Sequence, residues 1–205
     1  MDNKWICHER ESKYSDVSLF CLPCSGGTGA SYANWKDCIS DRIDIYPIQY
    51  PMREKRLREP MPDTVLALAR QIGDGCIDLL SEKEFAFWGH CGGALIGYEL
   101  SLYLTEKYQI APVAFYVASS PAPSISLPLR YQGKLVSDLD LEEFEGFLRK
   151  NMTFDEEFYS NKAVLQYYKK ITVKDFKLIE EYTYDKTSSL GHNAAYVFVE
   201  EPFAC

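Results

Sequence analysis

The chain has 205 residues, about the length of one domain, and its 46% hydrophobic and 25% charged residues are typical of a globular protein rather than a disordered one. The formal net charge is −8 at pH 7, so we do not expect the broad basic surface with which proteins bind nucleic acid. No apolar stretch reaches the roughly 20 residues of a membrane span, and the first ten residues lack the apolar core of a secretory signal. The sequence therefore predicts a soluble, cytoplasmic, monomeric protein with a single domain over residues 1–205.

The predicted elements alternate between strand and helix over the first 118 residues. In chain order they are a strand at 17–22, a helix at about 31–40, a strand at 43–50, a helix capped by Asp63 or Thr64, a strand at 85–88, a helix at about 92–107 and a strand at 113–118. This alternation is typical of a parallel sheet with helices on both faces. The nearly continuous apolar character of the fourth strand fits a sheet that is covered on both sides. The sequence thus predicts an α/β fold.

From about residue 135 to residue 181 the pattern changes to amphipathic helices without a strand signal. These helices are predicted at 139–149, 156–170 and 173–181, with Asp155 and Asn161 as candidate caps. A helical insertion after the fourth strand is able to cover the carboxyl edge of the sheet as a lid. The alternative interpretation is that these are ordinary surface helices of the domain.

The sharpest motif is a turn between the third strand and its helix, Gly89-His90-Cys91-Gly92-Gly93. It has the form of a nucleophile elbow, G-x-S-x-G, with cysteine in the place of serine. A Cβ at Gly89 or Gly93 would crowd the neighbouring backbone of such a strained turn. Cys91 would lie at a helix N-terminus, where the partial positive charge favours the thiolate. Cys91 is therefore the candidate nucleophile; the alternative is a tight turn that contains an incidental cysteine.

A second glycine-flanked turn, at residues 22–28, follows the first strand and is expected at the same edge of the sheet. Its backbone N–H groups, together with that of Gly92 after the nucleophile, are placed to bind an oxyanion. A phosphate-binding loop is the rival interpretation, but the chain has no Walker lysine and no G-x-G-x-x-G. Four basic residues follow the second strand, and they are either solvated or a contact for an acidic partner or a phosphate: Arg53, Lys55, Arg56 and Arg58.

The chain contains an odd number of cysteines, at positions 7, 21, 24, 38, 76, 91 and 205. An odd count is more typical of reduced thiols than of a disulfide framework. Cys21 and Cys24 have the spacing of a redox pair or of half a metal site. No second pair follows and the three histidines are scattered, so buried small side chains are the favoured interpretation. We predict neither a metal site nor a cofactor.

Four runs of residues, in chain order, resemble the motifs of type II thioesterases. The family patterns are F-C-F-P-Y-A-G-G, Q-L-P-G-R-E-x-R-x-x-E-P, F-F-G-H-S-M-G-A and L-x-E-x-Y-x-Y, and the matching residues here are 20–27, 49–60, 87–94 and 178–184. Together they cover roughly residues 15–185. Each motif alone is weak, but the four in this order make a specific match.

The resemblance implies an α/β-hydrolase that serves a nonribosomal peptide or polyketide synthase. Such enzymes hydrolyse acyl groups from the phosphopantetheine thioesters of carrier proteins, so the implied partner is an acyl-loaded carrier protein. By position, Cys91 corresponds to the nucleophilic serine, and Ser25 to the alanine whose backbone N–H forms the oxyanion hole with that of Gly92. Residues 135–181 correspond to the lid. His90 is the neighbour of the nucleophile in this family and is not the catalytic base.

The chain departs from the family pattern at two places. A cysteine nucleophile gives a thioester intermediate, close in energy to the substrate, which favours acyl transfer or slow hydrolysis. The second departure follows residue 184, where the family has a strand, an acid and a histidine in G-D-H. Residues 194–199 fit the strand and place Glu200 or Glu201 near the acid, but His192 precedes this strand and no histidine follows it.

We therefore expect the last strand and helix of the family fold to be missing, which leaves two alternatives to a hydrolase. One is a catalytically impaired fragment that binds carrier proteins without turnover. The other is a cysteine-dependent acyltransferase.

Overall fold

The computed structural model describes residues 3–7, 11–125 and 130–185, together with the backbone of a strand at 195–199. The strands are β1 (Val17–Leu22), β2 (Ile43–Pro47), β3 (Glu84–His90), β4 (Ala114–Ala118), β5 (Arg130–Tyr131), β6 (Lys134–Leu135) and β7 (Ala195–Val199). The α-helices are α1 (Val65–Leu80), α2 (Gly92–Tyr108), α3 (Leu141–Asn151), α4 (Glu156–Ser160) and α5 (Lys162–Glu180). Short 3-10 helices cover Gly29–Asp37, Glu54–Arg56 and Val136–Asp138.

Five strands form one parallel sheet in the order β2-β1-β3-β4-β7, and β5 and β6 form a separate antiparallel hairpin. Leu22, the last residue of β1, lies opposite Gly89 in β3. His90, the last residue of β3, lies opposite Ala118 at the end of β4. The loops after β1 and β3 therefore leave the carboxyl edge of the sheet side by side, where parallel sheets place their sites. The predicted α/β fold is confirmed.

Helices α1 and α2 pack together and cover the sheet through an apolar interior. The apolar face of α1 is buried, and the Thr64 hydroxyl, one of the two predicted caps, accepts a hydrogen bond from the Ala67 N–H at 3.1 Å. Aromatic rings fill the space between helices and sheet in edge-on contacts: Phe20, Phe85, Phe87 and Phe115. Buried rings of this size account for much of the apolar area removed from water.

Residues 135–181, which we call the helical insertion, enclose a hydrophobic cluster of their own. It contains Val136, Leu139, Phe144, Phe147, Leu148, Tyr159, Leu165 and Phe176. Asp140 and Glu143 form a reciprocal capping box at the start of α3, and the Asp155 carboxylate caps α4 by accepting from the Phe158 N–H. The amphipathic helices predicted here are confirmed, together with the Asp155 cap.

The boundaries of four predicted elements, three helices and one strand, differ from those observed. The predicted helix at 156–170 is broken at Asn161, whose side chain accepts from the Val164 N–H and begins a new helix. That helix, α5, then continues through Ile171 and Thr172, because both side chains lie on its buried face. The segment predicted as a helix at 31–40 is a 3-10 helix, which places Tyr32 and Trp35 on one side, in contact with each other.

The predicted second strand ends early, at Pro47, which has no N–H to donate to a strand ladder. None of the helices in the described ranges combines the length and apolar character of a membrane span.

Candidate active site

Cys91 makes the whole turn between β3, which ends at His90, and α2, which begins at Gly92. Its backbone has φ 50° and ψ −117°, a combination that residues other than glycine rarely adopt and that costs on the order of 1–3 kcal/mol. The turn is held by two backbone hydrogen bonds, from the Cys91 N–H to Ala118 O at 2.9 Å and from the Ala94 N–H to Cys91 O at 3.0 Å. The strained turn predicted from the glycine spacing is therefore present.

The glycines on either side of Cys91 allow three segments of backbone to meet. A Cβ at Gly89 would lie 2.5 Å from Ala94 Cα, and one at Gly93 would lie 2.5 Å from Pro23 O and overlap Leu22 O. No side chain fits at either position without moving backbone. The start of α2 is thus pressed against the end of β1, where the glycine loop (residues 25–29) begins.

Ser25 and Gly92, the two residues predicted to bind the oxyanion, are neighbours in space. A Cβ at Gly92 would lie 2.7 Å from Ser25 Oγ and would overlap Cδ1 of Ile179 in α5. Ser25 is 4% exposed, and Cys91 is half-buried. The end of α5 therefore lies directly over the junction of the glycine loop and α2.

The glycine loop is held from both sides by side chains that are distant in sequence. The Gly26 N–H donates to Asp175 Oδ2 of α5 at 2.8 Å, and Arg53 Nη1 donates to Gly27 O at 2.7 Å. Gly26 has φ +79°, a conformation in which glycine is favoured. The hydrogen bonds fix the backbone of this loop next to the elbow, residues 89–93.

Arg53 and Asp175 also bind each other in a buried ion pair. Nη1 donates to Oδ2 at 2.9 Å, Nη2 donates to Oδ1 at 2.7 Å, and Nε donates to Pro51 O at 3.0 Å. The two side chains are 2% and 7% exposed. This bidentate geometry satisfies the charges that burial removes from water.

The predictions for Arg53 and Arg56, either solvated or available to an acidic partner, were wrong for both residues. Arg56 is 2% exposed; it donates to Gln49 O and Glu59 and stacks on the ring of Trp5. Lys55 and Arg58 are exposed.

Sequence reasoning missed Asp175 altogether. A signal for it does exist, because Asp175 interrupts the buried stripe of α5 between Ile171 and Leu178. A carboxylate at such a position requires a buried partner.

The cysteines differ in burial, and this separates Cys91 from two of the others. Burial raises the pKa of the Cys76 thiol to about 12 and raises that of Cys21 further. Such thiols are poor nucleophiles. None of the six described cysteines forms a disulfide, and the described residues contain no group of three or more His, Cys, Asp or Glu placed to hold a metal ion.

The candidates for the catalytic acid and base, Glu200, Glu201 and His192, lie outside the described residues. The strand predicted at 194–199 is present as β7, which pairs in parallel with β4. His192 therefore precedes the edge strand of the sheet, and the two glutamates follow it. Their roles remain predictions.

Residues 17–201 match the family described as "Thioesterase domain". The chain is 29% identical to linear gramicidin dehydrogenase LgrE of Brevibacillus parabrevis over 92% of its own length and 71% of that protein. It is 27% identical to thioesterase PikA5 of Streptomyces venezuelae over 91% of its length and 64% of PikA5. The solved structure of RedJ, a thioesterase from the prodiginine pathway of Streptomyces coelicolor, superposes with a TM-score of 0.75 at 25% identity, over 83% of this chain and 65% of RedJ.

The chain belongs to the thioesterase domain family, as its four motifs predicted. It spans about two thirds of the length of PikA5 and of RedJ.

Proposed function

We propose that this thioesterase-family chain cleaves acyl groups from the phosphopantetheine thioesters of carrier proteins in nonribosomal peptide or polyketide synthesis, through an acyl-enzyme on Cys91. One observation carries the proposal: Cys91 stands in the strained turn between β3 and α2, the position of the nucleophile in an elbow. The names of PikA5 and RedJ, both thioesterases, support the reaction. The glycine loop lacks a dinucleotide-binding pattern, so the dehydrogenase activity in the name of LgrE is not transferred.

In the first step the Cys91 thiolate attacks the carbonyl carbon of the substrate thioester. A C–S bond forms, and the carbonyl electron pair moves to oxygen, where the backbone N–H groups of Ser25 and Gly92 bind the negative charge. The carbonyl then reforms, the bond to the pantetheine sulfur breaks, and that thiolate takes a proton from solvent. The start of α2 favours the thiolate of Cys91, because the helix dipole is positive there.

The second step is attack of water on the acyl-Cys91 thioester, which releases the carboxylic acid. This step requires a general base, for which His192 is the histidine nearest in sequence to β7, with Glu200 or Glu201 as its acid partner. Because the acyl-enzyme is itself a thioester, an added thiol or amine competes with water for the acyl group. Acyl transfer is therefore the second outcome that the same site supports.

We assign the helical insertion as a lid over this site, within one domain that includes the sheet. Two contacts favour this assignment over that of ordinary surface helices. Asp175 of α5 binds the glycine loop, and Ile179 covers Gly92. An acyl chain bound to Cys91 would therefore run beneath α5. The carrier protein would deliver this acyl chain to the enzyme, which acts as a monomer.

The proposal is tested by following hydrolysis of an acyl-pantetheine thioester, with thiol and free acid measured separately. The wild type is expected to release both in equal amounts, and Cys91→Ala to release neither. Cys38→Ala is the matched control, because Cys38 is exposed and has no role in the proposal; it should retain wild-type turnover.

Three other results would each contradict hydrolysis at Cys91. Turnover that persists in Cys91→Ala would show that Cys91 is not the nucleophile. Release of thiol without acid, accelerated by an added amine, would identify an acyltransferase. No release by a folded wild-type protein would favour a carrier-protein binder.

A further inference from the structure

The Ser25 side chain is buried, and within the part of the chain that the structure describes it makes no hydrogen bond. The residue is 4% exposed, and its Oγ finds no partner among the described residues. Buried hydroxyls are nearly always hydrogen-bonded, because burial without a partner is unfavourable. This hydroxyl is therefore available to a group that arrives with the substrate.

The Ser25 hydroxyl lies beside Gly92, one of the two residues whose N–H groups bind the negative charge in the proposed reaction. Ser25 Oγ is 2.7 Å from the position that a Cβ of Gly92 would occupy, and the Gly92 N–H is one of the proposed oxyanion donors. The cavity at this point is lined by apolar side chains, including Ile96, Leu178 and Ile179, and also by Tyr50 and Asp175, whose carboxylate is paired with Arg53. A donor in such surroundings interacts strongly with a charge that appears beside it.

Ser25 cannot readily move to find another partner. The next residue, Gly26, is bound through its N–H to Asp175, and Gly27 is bound through its carbonyl to Arg53. Both anchors belong to the buried ion pair. The loop therefore holds the hydroxyl in place before the substrate arrives, which is the preorganisation that oxyanion donors require.

We infer that the Ser25 hydroxyl is a third oxyanion donor, acting beside the backbone N–H groups of Ser25 and Gly92; this inference rests on the proposed function. As the Cys91 sulfur bonds to the carbonyl carbon, the electron pair moves to oxygen, and Ser25 Oγ–H donates a hydrogen bond to it without transferring its proton. Because the hydroxyl has no partner among the described residues, the hydrogen bond to the substrate oxygen is gained only as the charge forms. Interactions of this kind raise kcat rather than tighten substrate binding.

The family motif that the chain resembles has alanine at the position of Ser25. An alanine supplies the backbone N–H but no side-chain donor. The hydroxyl is therefore a departure from the motif that the chain resembles, at a site where the nucleophile also departs from that motif, being cysteine instead of serine.

The test compares Ser25→Ala with wild type by intact-protein mass spectrometry, using rapid mixing with an acyl-pantetheine thioester. The readout is the rate at which the acyl adduct forms, which depends on the first step alone and not on the base for hydrolysis. We expect this rate at saturating substrate to fall by on the order of 100-fold, the effect of losing one oxyanion donor. The substrate concentration at half-maximal rate should change little, and the melting temperature should be unchanged or higher.

Thr172→Val is the matched control, because the Thr172 hydroxyl is also buried without a partner among the described residues and packs against Gly26 of the same loop. It should form the adduct at the wild-type rate.

An adduct that forms equally fast in Ser25→Ala and in wild type would overturn this inference while leaving the proposed function intact. A slower Ser25→Ala with a clearly lower melting temperature would also overturn it, since the role would then be structural. If wild type forms no adduct at all, the proposed function fails, and the inference fails with it.

Discussion

The helical insertion buries its apolar side chains in one cluster, and the sheet with α1 and α2 buries side chains in another; α5 belongs to both. A smaller cluster contains Leu19, Tyr32 and Ile45. Leu165 and Phe176 pack in the cluster of the insertion, whereas Leu178 at the end of the same helix packs against the sheet and its helices. Asp175 lies at the crossing point, where it binds Arg53 and the glycine loop. The candidate site therefore lies at the boundary between these two clusters, with the Arg53–Asp175 ion pair as the buried polar connection across it.

Removing that connection should have the largest effect. Asp175→Ala leaves the Arg53 guanidinium buried without its carboxylate, which typically costs about 3–5 kcal/mol, and it frees the Gly26 N–H. We expect a loss of unfolding free energy of this size in urea denaturation, together with loss of adduct formation on Cys91.

The double variant Arg53→Met/Asp175→Leu separates stability from activity. An apolar pair of similar volume often restores the stability lost with one partner of a buried ion pair. It does not restore the carboxylate that binds the Gly26 N–H, so activity should remain low. Recovery of both stability and activity would show that the ion pair does not position the glycine loop.

Truncation in each cluster tests whether the two are energetically distinct. Phe147→Ala in the insertion and Phe87→Ala beneath the sheet each remove a ring that is at most 1% exposed, at a typical cost of about 3–5 kcal/mol. In hydrogen exchange, Phe147→Ala should lower protection mainly over residues 136–180, whereas Phe87→Ala should lower it throughout. If both variants lose the same protection against hydrogen exchange in β1 to β4, the two clusters unfold together as one unit.

The smallest expected effect concerns Glu59, far from the boundary. Hydrogen bonds from Arg56 and then Lys4 lower the pKa of Glu59 to about 2, below the ordinary value of about 4.3. A lowered folded pKa contributes stability above the unfolded pKa, and that contribution is lost as the pH falls toward 2. Because the carboxylate is 38% exposed, we expect no more than about 1 kcal/mol.

The measurement is the difference in melting temperature between wild type and Glu59→Gln. It should be small at pH 7 and should shrink between about pH 5 and pH 2. A difference that grows as the pH falls would have the wrong sign and would reject the assignment.

How well the sequence predicts this molecule depends on how far apart the interacting residues lie. The elbow was predictable because its constraint is local: Gly89 and Gly93 flank Cys91 in one turn, and each meets backbone that a Cβ would strike. The α5 cap at Asn161 is local too, although the break between α4 and α5 and the continuation of α5 through Ile171 were not predicted. Hydrophobic periodicity sufficed for the alternation of strands and helices that defines the fold class.

The ion pair of Arg53 and Asp175 was not predictable in the same way, because 122 positions separate the two residues. The sequence around Arg53 does not indicate that Asp175 is its partner, and the sequence around Asp175 does not indicate Arg53. A cluster of basic residues after β2 instead suggests a solvated or binding surface. The proposed role of the Ser25 hydroxyl was not predictable either, because it depends on the burial of this side chain beside Gly92. These parts of the site depend on contacts between residues that are far apart in the sequence, and local secondary-structure propensity does not predict such contacts.

The most direct test of the central claim is to locate the acyl group after reaction. Wild-type protein is mixed with an acyl-pantetheine thioester, quenched in acid and digested, and the acylated peptide is identified by mass spectrometry. The account predicts a single modified residue, Cys91, with the exposed Cys38 unmodified. An acyl group on any other residue, or equal modification of Cys38 and Cys91, would contradict it.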